Sequence, residues 1–292
     1  MSDPRSEPPS DPVPHRDVRS RRIRFSYPQG GLERHYVAGD LVMSHVVAVL
    51  SATFPPGEDF FVRSVRSLRD QITDPELKKQ VAGFIGQEVT HGREHRELNR
   101  RLQEMGYPAH RVARFVKWSL ADAEKRVPPM LRLAYTAALE HYTATIAECL
   151  LRKPEAQALL GDTEVRSVLL WHALEESEHK AVAFDAYRAV GGSERMRIWG
   201  FRIMTVGLLG LVLVATTLSM LLTDRSTYNP VRLVRSVARL RHSPFVEKDV
   251  IEHLRAYARP GFHPDDVDAT DLLERWRVEL FGPEGTLVDH LH

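Results

Sequence analysis

Cysteine is almost missing: Cys149 is the one thiol among 292 residues. Disulfide frameworks, zinc–thiolate sites and iron–sulfur clusters are thereby excluded, and a reducing cytosol fits. An excess of charge is missing too. Lys and Arg total 40 against 39 acidic residues, a net charge of +1. No basic surplus points to nucleic acid, and no acidic surplus points to disorder. Strand-like alternation is scarce, and no repeat of solenoid length is present. The first 25 residues, MSDPRSEPPSDPVPHRDVRSRRIRF, lack an apolar core and are rich in Pro, Ser and charge. They read as a disordered arm, not a signal peptide.

What is present is helical periodicity. A first helix is expected from about Gly39, broken or kinked at FPPG and resuming to about Ile72. TDPELKK starts a second, with Thr73 or Asp74 as N-cap and Pro75 in the first turn, running to about Glu104. Residues 109–127 form a connection with one short helix around RFVKWSLADAEKR. VPPMLRLAYTAALEHYTATIAECLLRK is the third long helix, and DTEVRSVLLWHALEESEHKAVAFDAYRAVGG the fourth, ended by Gly191 and Gly192. Four long helices with one extended connection predict an all-α chain built as a ferritin-like four-helix bundle with additional C-terminal helices. The expected divisions are the arm (1–25), the bundle (26–195), an apolar helix (196–225) and a C-terminal extension (226–292).

The buried stripe of a bundle helix repeats every three or four residues. On the second helix it reads Leu77, Val81, Phe84, Glu88, His91, His95, Leu98, Leu102. On the fourth it reads Val165, Leu169, His172, Glu176, His179, Ala183, Ala186, Val190. Each stripe is apolar except for three ionisable residues in a row. At about 100° per residue, each trio falls within about 60° of arc. The third helix places Glu140 among Leu133, Ala137, Ala144, Ala147 and Leu151, and Glu58 aligns with Phe61, Val62, Val65 and Leu68.

Four carboxylates buried alone would cost several kcal/mol each, or would protonate. Two divalent cations cancel them, and neutral imidazoles complete the coordination. One Glu from each of two helices plus Glu-x-x-His from each of two others is the ligand set of di-iron and di-manganese carboxylate bundles. Oxygen and imidazole donors suit two Fe ions, with Mn or a mixed Mn/Fe pair as alternatives. A lone Glu-x-x-His is more commonly a solvated surface pair; here two coincide with two buried glutamates. Glu58 is the weakest member, because an acid after a Pro-Gly break also serves a helix dipole. His172, one turn before Glu176, is expected as a seventh ligand. His95 is expected beside the ligands, as support or proton shuttle. Glu175 is placed to accept the N–H of His91, with Gln87 in the symmetric position. Glu94, Glu148 and Glu178 lie off the stripes and are expected to be solvated or in surface pairs. Tyr135, Tyr142 and Tyr187 are expected in the core.

FPPGEDFF, GFIGQEVTHGREH, ALEHYTA, WHALEESEHKAVAFD and YARPGFHP, spread over roughly residues 20 to 280, resemble the bacterial family labelled predicted metal-dependent hydrolase. The site pattern is also similar to that of di-iron N-oxygenases of arylamines, which share the histidine one turn before the last Glu-x-x-His. Carried over residue by residue, this implies metal ligands at Glu58, Glu88, His91, Glu140, His172, Glu176 and His179. The similarity concerns the site alone, so no arylamine substrate follows.

Ile203 to Leu222 is 20 residues without a charge, long enough to span a membrane and flanked by arginines on both sides. The other reading is a fifth helix buried on the bundle or in a homodimer interface. NPVRLVRSVARLRHSPF, beyond it, is basic and amphipathic, suited to a membrane surface, to an acidic partner or simply to solvent. The leading functional expectation is a di-iron oxygenase or oxidase acting with O2 and an electron donor on a small organic, even lipid-like, substrate in the cytoplasm or at a membrane. The alternatives are a binuclear metal-dependent hydrolase and a non-enzymatic iron-binding or ferroxidase-type protein.

Overall fold

The structure, a computed structural model, describes residues 14–292. Asp40 caps helix α1 (Leu41–Arg66) by accepting from the Met43 N–H. The helix continues without interruption through Pro55 and Pro56, so of the break or kink expected at FPPG the break does not occur. The physical reason lies on a neighbour. Pro55 has no N–H for the carbonyl four residues back, that of Ser51. Asn99 Nδ2 donates to this carbonyl at 2.8 Å, replacing the bond the helix lacks.

Helix α2 (Pro75–Glu104) starts at Asp74, which accepts from Leu77 N. The connection is more regular than expected: α3 (Ala109–Arg126) occupies nearly all of it. Next come α4 (Pro129–Arg152) and the single-turn α5 (Pro154–Ala158). The fourth long helix is two helices. α6 (Glu164–His179) ends at Lys180, and α7 (Val182–Ala189) follows. Lys180 is buried and its ammonium is held by Glu148 Oε1 at 2.9 Å and the Val267 carbonyl at 2.7 Å. α7 closes at Gly191, whose φ of +86° suits glycine. Gly192 is needed too, since a Cβ there would sit 2.3 Å from the Tyr187 ring.

The remaining helices are α8 (Glu194–Thr223), α9 (Pro230–Leu240), α10 (Lys248–Ala256) and α11 (Thr270–Phe281). Among the described residues the chain is all-α, with one isolated bridge between Ile23 and Leu291. α1 pairs with α2, α4 pairs with α6 and α7, and the two pairs face each other. Two apolar clusters fill the space between them. One holds Ala52, Leu98, Leu151 and Val168; the other holds Phe60, Phe84, Leu133 and Val182. The ionisable stripe residues lie between these clusters along every helix.

Residues 1–13 of the expected disordered arm lie outside the described residues; from Pro14 onward the expectation fails. Ile23, Phe25 and Tyr27 are buried while Arg22, Arg24 and Ser26 are exposed. Arg24 N donates to His290 O and His292 N donates to Arg22 O, so the arm pairs with the C-terminal residues. It closes the side of α6 that α4 and α2 leave open. α11 adds to that cover, with Trp276 Nε1 donating to Leu151 O at 3.0 Å. As a result every residue from Trp171 to Lys180 is buried.

Replacing Asn99 with Ala leaves the buried Ser51 carbonyl without a partner. Urea unfolding should show a loss of about 1–3 kcal/mol, and the loss should be smaller when Pro55 is also changed to Ala.

Candidate metal centre

Seven side chains from four helices meet between the two apolar clusters. They are Glu58 from α1, Glu88 and His91 from α2, Glu140 from α4, and His172, Glu176 and His179 from α6, each at most 4% exposed. The three imidazoles turn one nitrogen inward. His172 Nε2 lies 2.9 Å from Glu176 Oε1 and 3.8 Å from Glu58 Oε1. His91 Nδ1 lies 3.5 Å from Glu176 Oε1 and 3.8 Å from Glu88 Oε1. His179 Nε2 lies 3.2 Å from both Glu88 Oε1 and Glu140 Oε2.

Three sets of donors within 4.8 Å of one another overlap here: Glu58–Glu88–His91, His91–His172–Glu176, and Glu88–Glu176–His179. Glu88 and Glu176 each belong to two sets, so the donors form one continuous group. Glu140 belongs to none of them, and joins through its contact with His179.

The other imidazole nitrogens face outward and are occupied. His91 Nε2 is 3.0 Å from Glu175 Oε2, whose second oxygen receives Arg21 Nη1 at 2.8 Å. His179 Nδ1 is 2.9 Å from Gln87 Oε1, and Gln87 Nε2 donates to Glu178 Oε2. Arg21 and Arg277 both donate to Glu178. His172 Nδ1 is 2.7 Å from His95 Nε2; His95 Nδ1 then meets Ser51 Oγ, which donates to Asn99 Oδ1. His95 is close enough to Glu58 and His172 to count as a fourth donor set. Both of its nitrogens are already engaged, so support of His172 describes it better.

Nine inward atoms have no hydrogen-bond partner: both oxygens of Glu58, Glu88 and Glu140, Glu176 Oε2, His91 Nδ1 and His179 Nε2. Buried polar atoms rarely stay unpaired. Their convergence suits a shared cationic partner, and carboxylate plus imidazole donors fit divalent Fe, Mn or Zn. A small residue adds to the fit. A Cβ on Gly92 would lie 3.1 Å from Glu58 Oε2 and 3.3 Å from Arg96 Nη1, so glycine leaves room there for both the carboxylate and the guanidinium.

Titration follows the crowding. Burial, reinforced by Glu176, pushes Glu58 well above the usual carboxylate range; burial with Glu140 and Glu176 does the same to Glu88. Burial and Glu176 raise Glu140 to about 7. Burial also acts upward on Glu176, but His179 and His172 outweigh it and hold that carboxyl well below the usual range. Burial and the neighbouring His172 hold both His91 and His95 well below ordinary imidazole values. His179 goes the other way, because Glu176 and Glu140 overcome its burial.

The chain matches the family described as "predicted metal-dependent hydrolase" over residues 19–268. The chain belongs to that family. No curated protein and no solved structure matches it. The family's description and the buried Glu/His cluster together support dependence on metal.

Glu94, Glu148 and Glu178, expected at the surface, are buried. Glu94 is held by Arg93 Nε and Phe25 N, Glu148 by Lys180 and Arg152, and Glu178 by Arg21, Arg277 and Gln87. The arm and the C-terminal segment cover helix faces that a four-helix count leaves bare. Tyr135, Tyr142 and Tyr187 are core residues; Tyr142 and Tyr187 donate to Thr205 Oγ1 and Ser193 O. Arg21, Ser51, Asn99 and Gly92 also belong to the surroundings of the site, and helical periodicity singles out none of them. For Arg21 the signal is the apolar–polar alternation of Ile23, Phe25 and Tyr27 with Arg22, Arg24 and Ser26, the period-two mark of an extended segment with one covered face.

Two predictions follow from the charge pattern. Raised carboxyl values in the folded state, and the raised His179, mean stability present at low pH and lost as pH rises through the folded values. The depressed histidines act oppositely, but their contribution is complete once pH exceeds the unfolded imidazole value of about 6.5. As pH rises above about 7, therefore, the metal-free protein should lose stability and the metal-loaded protein should not. Thermal midpoints across that range check this, and Glu88→Gln should flatten the metal-free slope while lowering metal uptake. Glu175→Gln keeps an acceptor for His91 but removes the anion anchored by Arg21. Chelator competition should show metal affinity about 10-fold weaker, with helix content unchanged.

Proposed function

We propose that this protein is a binuclear metal-dependent enzyme and that its reaction class is hydrolysis. The single observation that carries the metal reading is the set of nine unpartnered inward atoms on four buried glutamates and two histidines. Glu58, Glu88, His91, Glu140, His172, Glu176 and His179 would hold the two cations. The family description supports hydrolysis as the reaction class. Bound cations would supply Lewis acidity and a water made acidic enough to deprotonate near neutral pH.

The chain's own residues set the terms of that chemistry. Glu175, anchored by Arg21, accepts the Nε2 proton of His91 and leaves Nδ1 free to face inward. Gln87 does the same for His179 through Nδ1, so its Nε2 faces inward. His172 donates from Nδ1 to His95, and the chain continues through Ser51 to Asn99. Each partner fixes one tautomer and the ring's orientation. Phe54 packs edge-on against His172, and Phe84 packs edge-on against His179; both rings exclude water from the imidazoles they touch.

A second reading is oxidation of a small organic substrate by O2 with two iron ions. The donor set favours it, because one Glu from each of two helices and Glu-x-x-His from each of two others is the pattern of di-iron carboxylate bundles. An electron donor would then be required.

Reconstitution separates the readings. Metal-free protein is loaded without oxygen with Fe(II), Mn(II) or Zn(II), metals per chain are counted, and turnover is followed. Two metals per chain, with hydrolysis of activated esters or phosphoesters lost on chelation and in Glu176→Ala, is the expected result. Inertness toward such substrates, combined with O2 consumption tied to oxidation of an added organic substrate, favours the second reading. Fewer than one metal per chain under all three conditions overturns both.

A further inference from the structure

Helix α8 is apolar on both sides. Its inner side is fastened to the bundle along its whole length. Gly200 rests against Ala134 and Tyr135, Thr205 receives the Tyr142 hydroxyl, and Ser219 Oγ meets His45 Nδ1 at 2.7 Å. Among the described residues nothing covers the outer side. Only 17% of the most apolar window of α8 is buried, and Val206, Leu213 and Leu222 are 75%, 70% and 70% exposed. From Trp199 to Leu222 the exposed apolar positions spread over about 220° of arc, at about 100° per residue. A groove of about 610 Å³ between α3 and α8 continues this surface, lined by Phe115 and Val112 on one wall and Val206, Gly210 and Val214 on the other.

The charge along the rim is mainly basic. Residues 108–118 of the α3 wall include Arg111, Arg114 and Lys117 and no acid. Trp118 beside them is 66% exposed. At the start of α8 the Arg202 guanidinium lies over the exposed Trp199 ring, 5.3 Å from its centroid. At the other end stand exposed Tyr228 and Arg225, and α9 carries Arg232, Arg235 and Arg239 with no acid of its own, Arg239 lying 3.5 Å from Asp40. Apolar side chains bordered by Trp, Tyr and Arg are the composition of a surface that sits at the boundary between headgroups and acyl chains.

We propose that the α3–α8 face docks on a bilayer surface containing anionic lipid, with α8 lying in the interfacial plane. α8 does not cross the bilayer. It is bound along its length to α1 and α4, and the outer face of α1 carries exposed Asp59, Arg63 and Arg66, so a crossing would carry these charges into hydrocarbon. A second copy fits less well, because a two-fold contact sets the same patch against itself and would bring the arginine rims together without acids between them. Anionic headgroups satisfy those arginines, and acyl chains take the apolar side chains.

The test uses the full chain and sedimentation with phosphatidylcholine vesicles, with or without phosphatidylglycerol. The protein should pellet with the anionic vesicles and bind at least about 10-fold more weakly to the neutral ones. V206E/L213E alters exposed positions only; it should keep its circular dichroism and thermal midpoint and lose at least about 10-fold in vesicle binding. Alkaline carbonate should release the bound protein. Resistance to carbonate would mean a spanning helix and overturn the in-plane placement. Equal binding to neutral vesicles overturns the role of the arginines. A chain that ignores both vesicles overturns the proposal, whether it is monomeric or a dimer that V206E/L213E dissociates.

Discussion

Everything in this molecule is organised around four carboxylates shut away from water with no Lys or Arg paired to them among the described residues. Burying a charge costs several kcal/mol unless it is paired. The chain pairs its other buried acids with care: Glu175 and Glu178 share Arg21, Glu178 also takes Arg277, and Glu148 takes Lys180. Glu58, Glu88, Glu140 and Glu176 receive no Lys or Arg within salt-bridge distance among the described residues. The difference between the two groups of acids is the clearest feature of the site. Arginines neutralise the outer ring, and the inner ring is left for a cation from outside.

The two rings depend on each other. An imidazole that must face inward with a bare nitrogen needs a stationary acceptor on its opposite side. Glu175 and Gln87 provide this for His91 and His179, and both are held by the arm, through Arg21 and the Arg19 carbonyl. The N-terminal segment is thus part of the centre without touching it. The apolar clusters on either side keep the space dry, which strengthens every electrostatic interaction inside it.

Much of this could be read in the sequence, for a definite reason. A helix stripe that is apolar except for Glu88, His91 and His95, or for His172, Glu176 and His179, has few explanations, because periodicity shows which residues share a face. The all-α class and the starts of α2 and α4 were also legible, since Asp74 and the two Pro–helix junctions are local signals. Features that depend on distant segments were not. The continuity of α1 through Pro55 relies on Asn99, some 40 residues along the chain. The burial of Glu94, Glu148 and Glu178 relies on the arm and on α11. Lys180, at the end of α6, is held by Glu148 and by Val267, 87 residues along the chain. In each case the deciding partner lies on another element, and local pattern carries no record of it.

Asn99 serves two roles with one amide group. Its nitrogen repairs the backbone gap made by Pro55, and its oxygen receives the Ser51 hydroxyl that ends the chain of contacts from His172. A proline on one helix and an asparagine on another therefore make a single inheritable unit. A lineage that loses Pro55 regains the ordinary helical bond at Ser51 and frees the amide to drift. One that loses Asn99 first gives up both the repair and the anchor in the same step.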